Sequence, residues 1–172
     1  NTAHTLAYVP VAWAGGGSSA FDKEKFLQIG GFDPLYSPLY VEDADLSYQA
    51  WKRGWQILFS KDSKVFHEHR ASTAVKFSDT DVKKIVEKNQ LLFIWKNITD
   101  IDLILSHIIR MPIFINNKLA EFGVVKGLPI ILNSFKQFPE ALLKRNSARN
   151  SYVYGDKKAQ AVFTDKQAYR QA

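Results

Sequence analysis

The chain has 172 residues, 46% of them hydrophobic, with a formal charge of +6 and no cysteine. Those values suit one soluble globular domain or part of a larger one, and they exclude disulfides and thiolate metal sites. The charge is uneven: residues 1–99 hold 12 basic and 11 acidic side chains, residues 100–172 hold 11 and 6, so the excess belongs to the C-terminal third. That asymmetry points to an anionic partner, a lipid surface or a nucleic acid. The start, NTAHTLAYVP, lacks the basic and then apolar segments of a signal peptide. Without an initiator Met, the chain reads as beginning inside a longer protein. No apolar run approaches the roughly 20 residues that span a bilayer.

In chain order, residues 6–13 are apolar and β-rich around Pro10, which predicts an edge strand. Gly15-Gly16-Gly17-Ser18-Ser19 follows, a turn or a backbone that approaches a ligand closely. Asp22 is placed to cap a helix over Lys23–Ile29 that Gly30 stops. Residues 31–40 are a loop. A second helix is predicted from Glu42 to Arg53, ended by Gly54. Residues 55–60 and 64–67 read as strands. From Asp79 the pattern turns helical: residues 79–96, a helix from Asp100 to Pro112, and residues 124–145 interrupted at Pro129 and Pro139. After Asn146 the tail is polar and reads as loosely ordered. The expectation is an α/β part followed by a helical part, with further strands supplied from upstream.

Two groups of side chains could carry chemistry. Glu42-Asp43 stands where a loop becomes a helix. The pair serves either as dipole partners of that helix or, with one carboxylate facing a cleft, as a general base. His67 and His69 would share one face of a strand, and imidazole suits divalent transition metals; by themselves two histidines at this spacing are a weak metal signal, and a structural or surface role is the commoner explanation. Three D-x-D triplets, at Asp43, Asp79 and Asp100, stand at helix starts, where Asp is favoured for capping alone. They read as non-donor sites.

The succession GGSSAF, GGFD, E-D-x-D-L, a helix ending in R-G-W, and V-F-H-E-H-R resembles family 2 glycosyltransferases of the bacterial cell-surface polysaccharide kind. It covers residues 13–73 closely and 79–145 loosely. The resemblance implies the C-terminal part of a type A, Rossmann-like α/β fold with an α-helical extension. It divides the chain into an acceptor-side catalytic half (1–75), a helical, membrane-associating region (76–149) and a tail (150–172). It implies inverting transfer from a nucleotide-sugar donor to a glycan or lipid-linked acceptor. Asp43 would be the base and Glu42 its support. Gly16, Gly17 and Ser18 would line the acceptor side, with Trp13 or Tyr40 as a stacking platform. His67 would assist a divalent metal, Mn or Mg, held mostly by residues outside this chain, as is the donor-binding half. Localisation would be cytoplasmic and peripheral at the inner face of the membrane.

Basic residues interleaved with apolar ones from Arg110 to Arg149 read either as a membrane-surface element or as a helix packed on the catalytic domain. A non-catalytic membrane or protein-interaction module, and a metallohydrolase built on His67, His69 and Asp43, are the rival readings. No nucleic-acid module is recognisable, so a nucleic-acid partner is not expected.

Overall fold

The computed structural model describes residues 8–66 and 75–164. Strand β1 (Tyr8–Pro10) and strand β2 (Leu58–Ser60) pair antiparallel, with Val9 opposite Phe59. Between them lie α1 (Lys23–Ile29), a 3₁₀ turn at Pro34–Tyr36 and α2 (Glu42–Lys52). Then come α3 (Asp79–Asn97), α4 (Ile101–Arg149) and α5 (Asp156–Thr164).

The α/β expectation is overturned. The described residues form helices with one two-stranded antiparallel sheet, not a Rossmann-like sandwich. A parallel sheet needs strands joined by helical crossovers and covered on both faces. Here Pro10 has no N–H to extend the ladder, Leu58 and Phe59 remain exposed, and residues 64–66 form no strand despite their apolar pattern.

Local chemistry fixes the helix ends. Asp22 Oδ1 accepts from Lys25 N at 3.1 Å and Gly30 closes α1 in the left-handed region, at the bounds the sequence predicts. Ser78 Oγ accepts from Asp81 N at the start of α3. The long α4 breaks at Gly123, whose φ of 73° and ψ of 160° leave the helix, and not at Pro112, Pro129 or Pro139. Each proline removes one helical N–H, yet the helix continues through all three.

Beyond Gly123 the chain doubles back. In a straight helix Lys118 and Gly127 would stand about 13 Å apart. Yet a Cβ on Gly127 would lie 2.9 Å from the Lys118 carbonyl and 3.3 Å from Leu119 Cα. Only glycine admits that approach. Trp95 of α3 meets both arms, donating from Nε1 to His107 Nε2 at 2.9 Å and stacking edge-on against Phe138 at 4.9 Å. Arms 101–122 and 124–149 are thus an antiparallel hairpin clasping α3. The core of Leu35, Tyr36, Leu91, Leu92, Trp95 and Ala141 lies between them and the 3₁₀ turn.

The end of the chain corrects another expectation. Residues 156–164 are helical, and Ala159 packs with Tyr48, Trp51 and Ile98. Asp156 is fully buried.

Candidate functional site at the start of α2

Glu42 and Asp43 occupy the first turn of α2, and the strand-to-α1 connection is stitched along that helix. Ala14 N donates to Ser47 Oγ at 3.1 Å, and Trp51 Nε1 reaches the carbonyls of Val11 and Ala12 at 3.2 Å. These bonds lay the glycine turn over the carboxylates. Gly16 N donates to Asp43 Oδ2 at 3.3 Å, while Ala44 N donates to Oδ1 at 2.8 Å. Among the described residues no cation pairs with Asp43.

Burial lifts the Glu42 carboxyl above the usual carboxylate range; its own backbone N–H draws it down and the Asp43 charge lifts it again. Its Oε2 is buried without a hydrogen-bond partner. An unmatched carboxyl oxygen with raised proton affinity beside an ionisable carboxylate is the arrangement of paired acid–base groups.

The backbone that delivers the pair is strained. Tyr40 and Val41 have φ of 67° and 81°, a region that disfavours residues with a Cβ, β-branched ones most. Val41 stands at the N-cap with no side-chain cap. Asn89 of α3 holds the turn: its Nδ2 lies within 2.6–3.0 Å of the carbonyls of Tyr36, Leu39 and Tyr40. Lys88 Nζ adds a bond to the Ser37 carbonyl.

Asp45, on the buried side of the same turn, is committed. Tyr36 Oη and Asn97 Nδ2 donate to its Oδ1 at 2.7 and 2.6 Å; Gln49 Nε2 and Lys96 Nζ donate to Oδ2 at 2.9 and 2.6 Å. Lys96 continues to Asp33 at 2.7 Å, and Asp33 to Lys144 at 2.7 Å. Burial raises Asp33, but the two ammonium groups and Leu35 N outweigh it and hold it below the usual range.

A second closed network lies at the far end of α2. Asp156 accepts from Tyr48 Oη, Lys52 Nζ and the backbone N–H groups of Thr99 and Asp100, all at 2.6–2.7 Å. Lys52 Nζ also bonds the Asn97 carbonyl and Thr99 Oγ1, so all three of its donors are used. These donors hold Asp156 below its usual range against burial, while burial lowers Lys52.

The other expected site residues are dispersed. Gly17 and Ser18 continue the exposed glycine turn. Trp13 is exposed and lines, with Ser18, Phe21, Ser47 and Trp55, a cleft of about 600 Å³. That cleft includes neither Glu42 nor Asp43. Tyr40 is half-buried in the strained turn. His67 and His69 lie outside the described residues, so the metal expectation has no geometry. Among the described residues no group of three His, Asp or Glu side chains is placed to hold a metal ion. The Asp79 and Asp100 triplets start α3 and α4. Asn89 and Lys96 carry no signal in the sequence, and Lys144, which the sequence groups with the basic residues of the membrane-surface reading, instead pairs with Asp33 and Glu140. They lie in helices whose residue types look like ordinary surface positions until the fold brings them to the 31–45 loop.

No family model matches the chain, and no solved structure matches it. It is similar to the N-acetylglucosaminyl-diphospho-decaprenol L-rhamnosyltransferases of Mycobacterium tuberculosis strains CDC 1551 and H37Rv. Each is 36% identical over 64 residues, which are 37% of this chain and 20% of the relative. The match thus spans about a fifth of the length of the curated relatives. It is a partial likeness to glycosyltransferases of glycan synthesis.

Proposed function

We propose that this chain supplies the acceptor-side carboxylates of a glycosyltransferase that moves a sugar from a nucleoside-diphosphate donor to a lipid-linked acceptor in cell-surface polysaccharide synthesis. The observation that carries the reading is the contrast within one helical turn. Asp45 is saturated by four donors, whereas Asp43 makes two backbone bonds, pairs with no cation among the described residues and sits under a glycine turn. The partial likeness to rhamnosyltransferases supports the reaction class.

In this reading Asp43 takes the proton from the acceptor hydroxyl. The acceptor oxygen then forms its bond to the anomeric carbon as the bond from that carbon to the diphosphate oxygen breaks. The nucleoside diphosphate leaves with the electron pair, and the anomeric centre inverts. Glu42, with its raised proton affinity, bonds an acceptor oxygen and orients it toward Asp43. The glycine turn lets the acceptor approach the backbone, and Trp13 offers an exposed ring for a sugar face. Donor contacts come from residues other than those described. Among the described residues no group of three His, Asp or Glu side chains is placed to hold a divalent metal.

The test is Asp43→Asn in the whole enzyme. Turnover should fall about 10²–10⁴-fold, the range of a general base, with donor binding and melting temperature retained. Near-wild-type turnover would remove Asp43 from the mechanism.

A further inference from the structure

We infer that the α4 hairpin is a membrane-surface element that lies on anionic lipid with one side of both arms. The Leu119–Gly127 contact fixes how the two arms face each other. From that contact, at about 3.6 residues per turn, the helical wheel carries Ile101, Ile109 and Ile113 to one side of the first arm. It carries Leu128 and Leu132 to the same side of the second, where Phe135 marks the edge against Trp95. The opposite side of the pair is the one clasping α3 through Trp95.

These apolar residues are not packed on the catalytic part. Ile101 is 68% exposed, Ile109 74%, Ile113 62% and Leu132 50%. A contiguous apolar face of this kind marks an interaction surface rather than scattered exposure.

Charge selects the occupant. The hairpin's acidic side chains are all paired: Asp102 with Lys157, Glu121 with Lys83 and Lys118, and Glu140 with Lys144. Arg110, Lys126, Lys136 and Arg149 are exposed and meet no carboxylate among the described residues. The unneutralised charge is therefore wholly positive, and Arg110 and Lys136 stand at the outer edges of the two stripes. An apolar stripe with a basic border is the surface that beds into anionic headgroups. No helix among the described residues is long and apolar enough to cross a membrane, which fits lying on it. A lipid-linked acceptor, on which this part of the argument rests through the proposed function, would be met at that surface.

Flotation of the chain with vesicles decides the matter. Wild-type protein should rise with phosphatidylcholine vesicles containing phosphatidylglycerol and stay behind with phosphatidylcholine alone. High salt should release it. The double substitution Ile109→Asn with Leu132→Asn, and separately Arg110→Glu with Lys136→Glu, should each weaken binding by about tenfold or more. Both change exposed positions, so unaltered circular dichroism and melting would show that the fold persists. No binding to anionic vesicles at low salt, or binding untouched by both pairs, overturns the inference. So does a monomer–dimer equilibrium that the Asn pair abolishes without vesicle binding, which would assign the face to a second copy. Transferase activity is read separately, with a detergent-dispersed acceptor. If the whole enzyme shows none, the functional reading fails while the vesicle result stands.

Discussion

At the start of α2, Asp43 is held by two backbone N–H groups and Glu42 leaves one buried oxygen unmatched. On the buried side of the same turn and at the helix end, Asp45, Lys52 and Asp156 have their polar atoms filled by partners that include α3, the α3–α4 junction and α5. The same residue type therefore stands in two different environments within one short helix. A carboxylate ringed by donors fixes how elements sit, because any departure strands a buried charge. A carboxylate left with open valences keeps capacity for an incoming hydroxyl.

The sharpest way to break this comparison is to exchange the two signatures. Asp45→Ala should lower stability by about 3–5 kcal/mol, since Lys96 would keep only Asp33, Tyr36 and Gln49 would lose this acceptor, and Asn97 would keep only the Phe93 carbonyl. Asp43→Asn should leave stability within about 0.5 kcal/mol, as surface substitutions do. Denaturant melts of both variants measure it. Equal losses would mean that Asp43 is another structural carboxylate.

Much of this contrast is hidden in the sequence. E-D-A-D shows a helix start and marks both aspartates alike; nothing local says that position 43 faces the glycine turn and position 45 the interior. Capping chemistry is local, so Asp22, Gly30 and Ser78 are legible and the α1 bounds follow from them. Sheet extent is not local. Residues 55–60 and 64–67 carry β-rich patterns, yet among the described residues only Leu58–Ser60 forms a strand there. The order of the tail depends on Asp156 meeting Lys52, a contact about a hundred residues apart in the chain. Prolines suggest where α4 would break, but the helix runs through all three and turns at Gly123.

Acid titration separates the two ends of α2 by sign. Asp156 is held below its unfolded value of 3.8, so its contribution is complete above that pH. As pH falls further the unfolded chain takes the proton first, and the contribution is lost on passing through the folded value. Asp156→Asn should lower stability at pH 7 by about 1.5–3 kcal/mol and flatten this acid limb. Glu42 runs the other way. Raised above 4.5, it contributes fully below that pH and loses the contribution as pH rises through the folded value. Glu42→Gln should therefore gain stability at neutral pH, and a loss there would contradict an unmatched, buried carboxyl.

A smaller effect tests how the open end is held. Asn89→Ala removes the amide that meets the carbonyls of Tyr36, Leu39 and Tyr40. It should cost about 1–2 kcal/mol. In the whole enzyme kcat should fall while the donor KM stays constant, because the turn that aims Glu42 and Asp43 would relax. A loss of stability with unchanged kcat would assign Asn89 to packing alone.

The smallest expected change is at the strained turn itself. Tyr40 and Val41 both sit in the left-handed region. Val41 also packs against the Leu35–Trp95 core, so substituting it would mix strain relief with lost burial. Tyr40 is the cleaner probe. Asn tolerates left-handed φ better than Tyr, and unlike Gly it adds little freedom to the unfolded chain. Relief of this kind is worth about 1 kcal/mol at most, offset by whatever contact the half-buried ring makes. Tyr40→Asn should thus leave stability unchanged or raise it by up to about 1 kcal/mol, read from denaturant midpoints at constant m-value. Turnover decides what the strain is for. If kcat holds while acceptor KM rises, the Tyr40 ring contacts the acceptor. If kcat falls at constant KM, the strained backbone aims Asp43. A stability loss above about 1 kcal/mol would show that the ring is a packing element and that the turn's conformation is set by its neighbours alone.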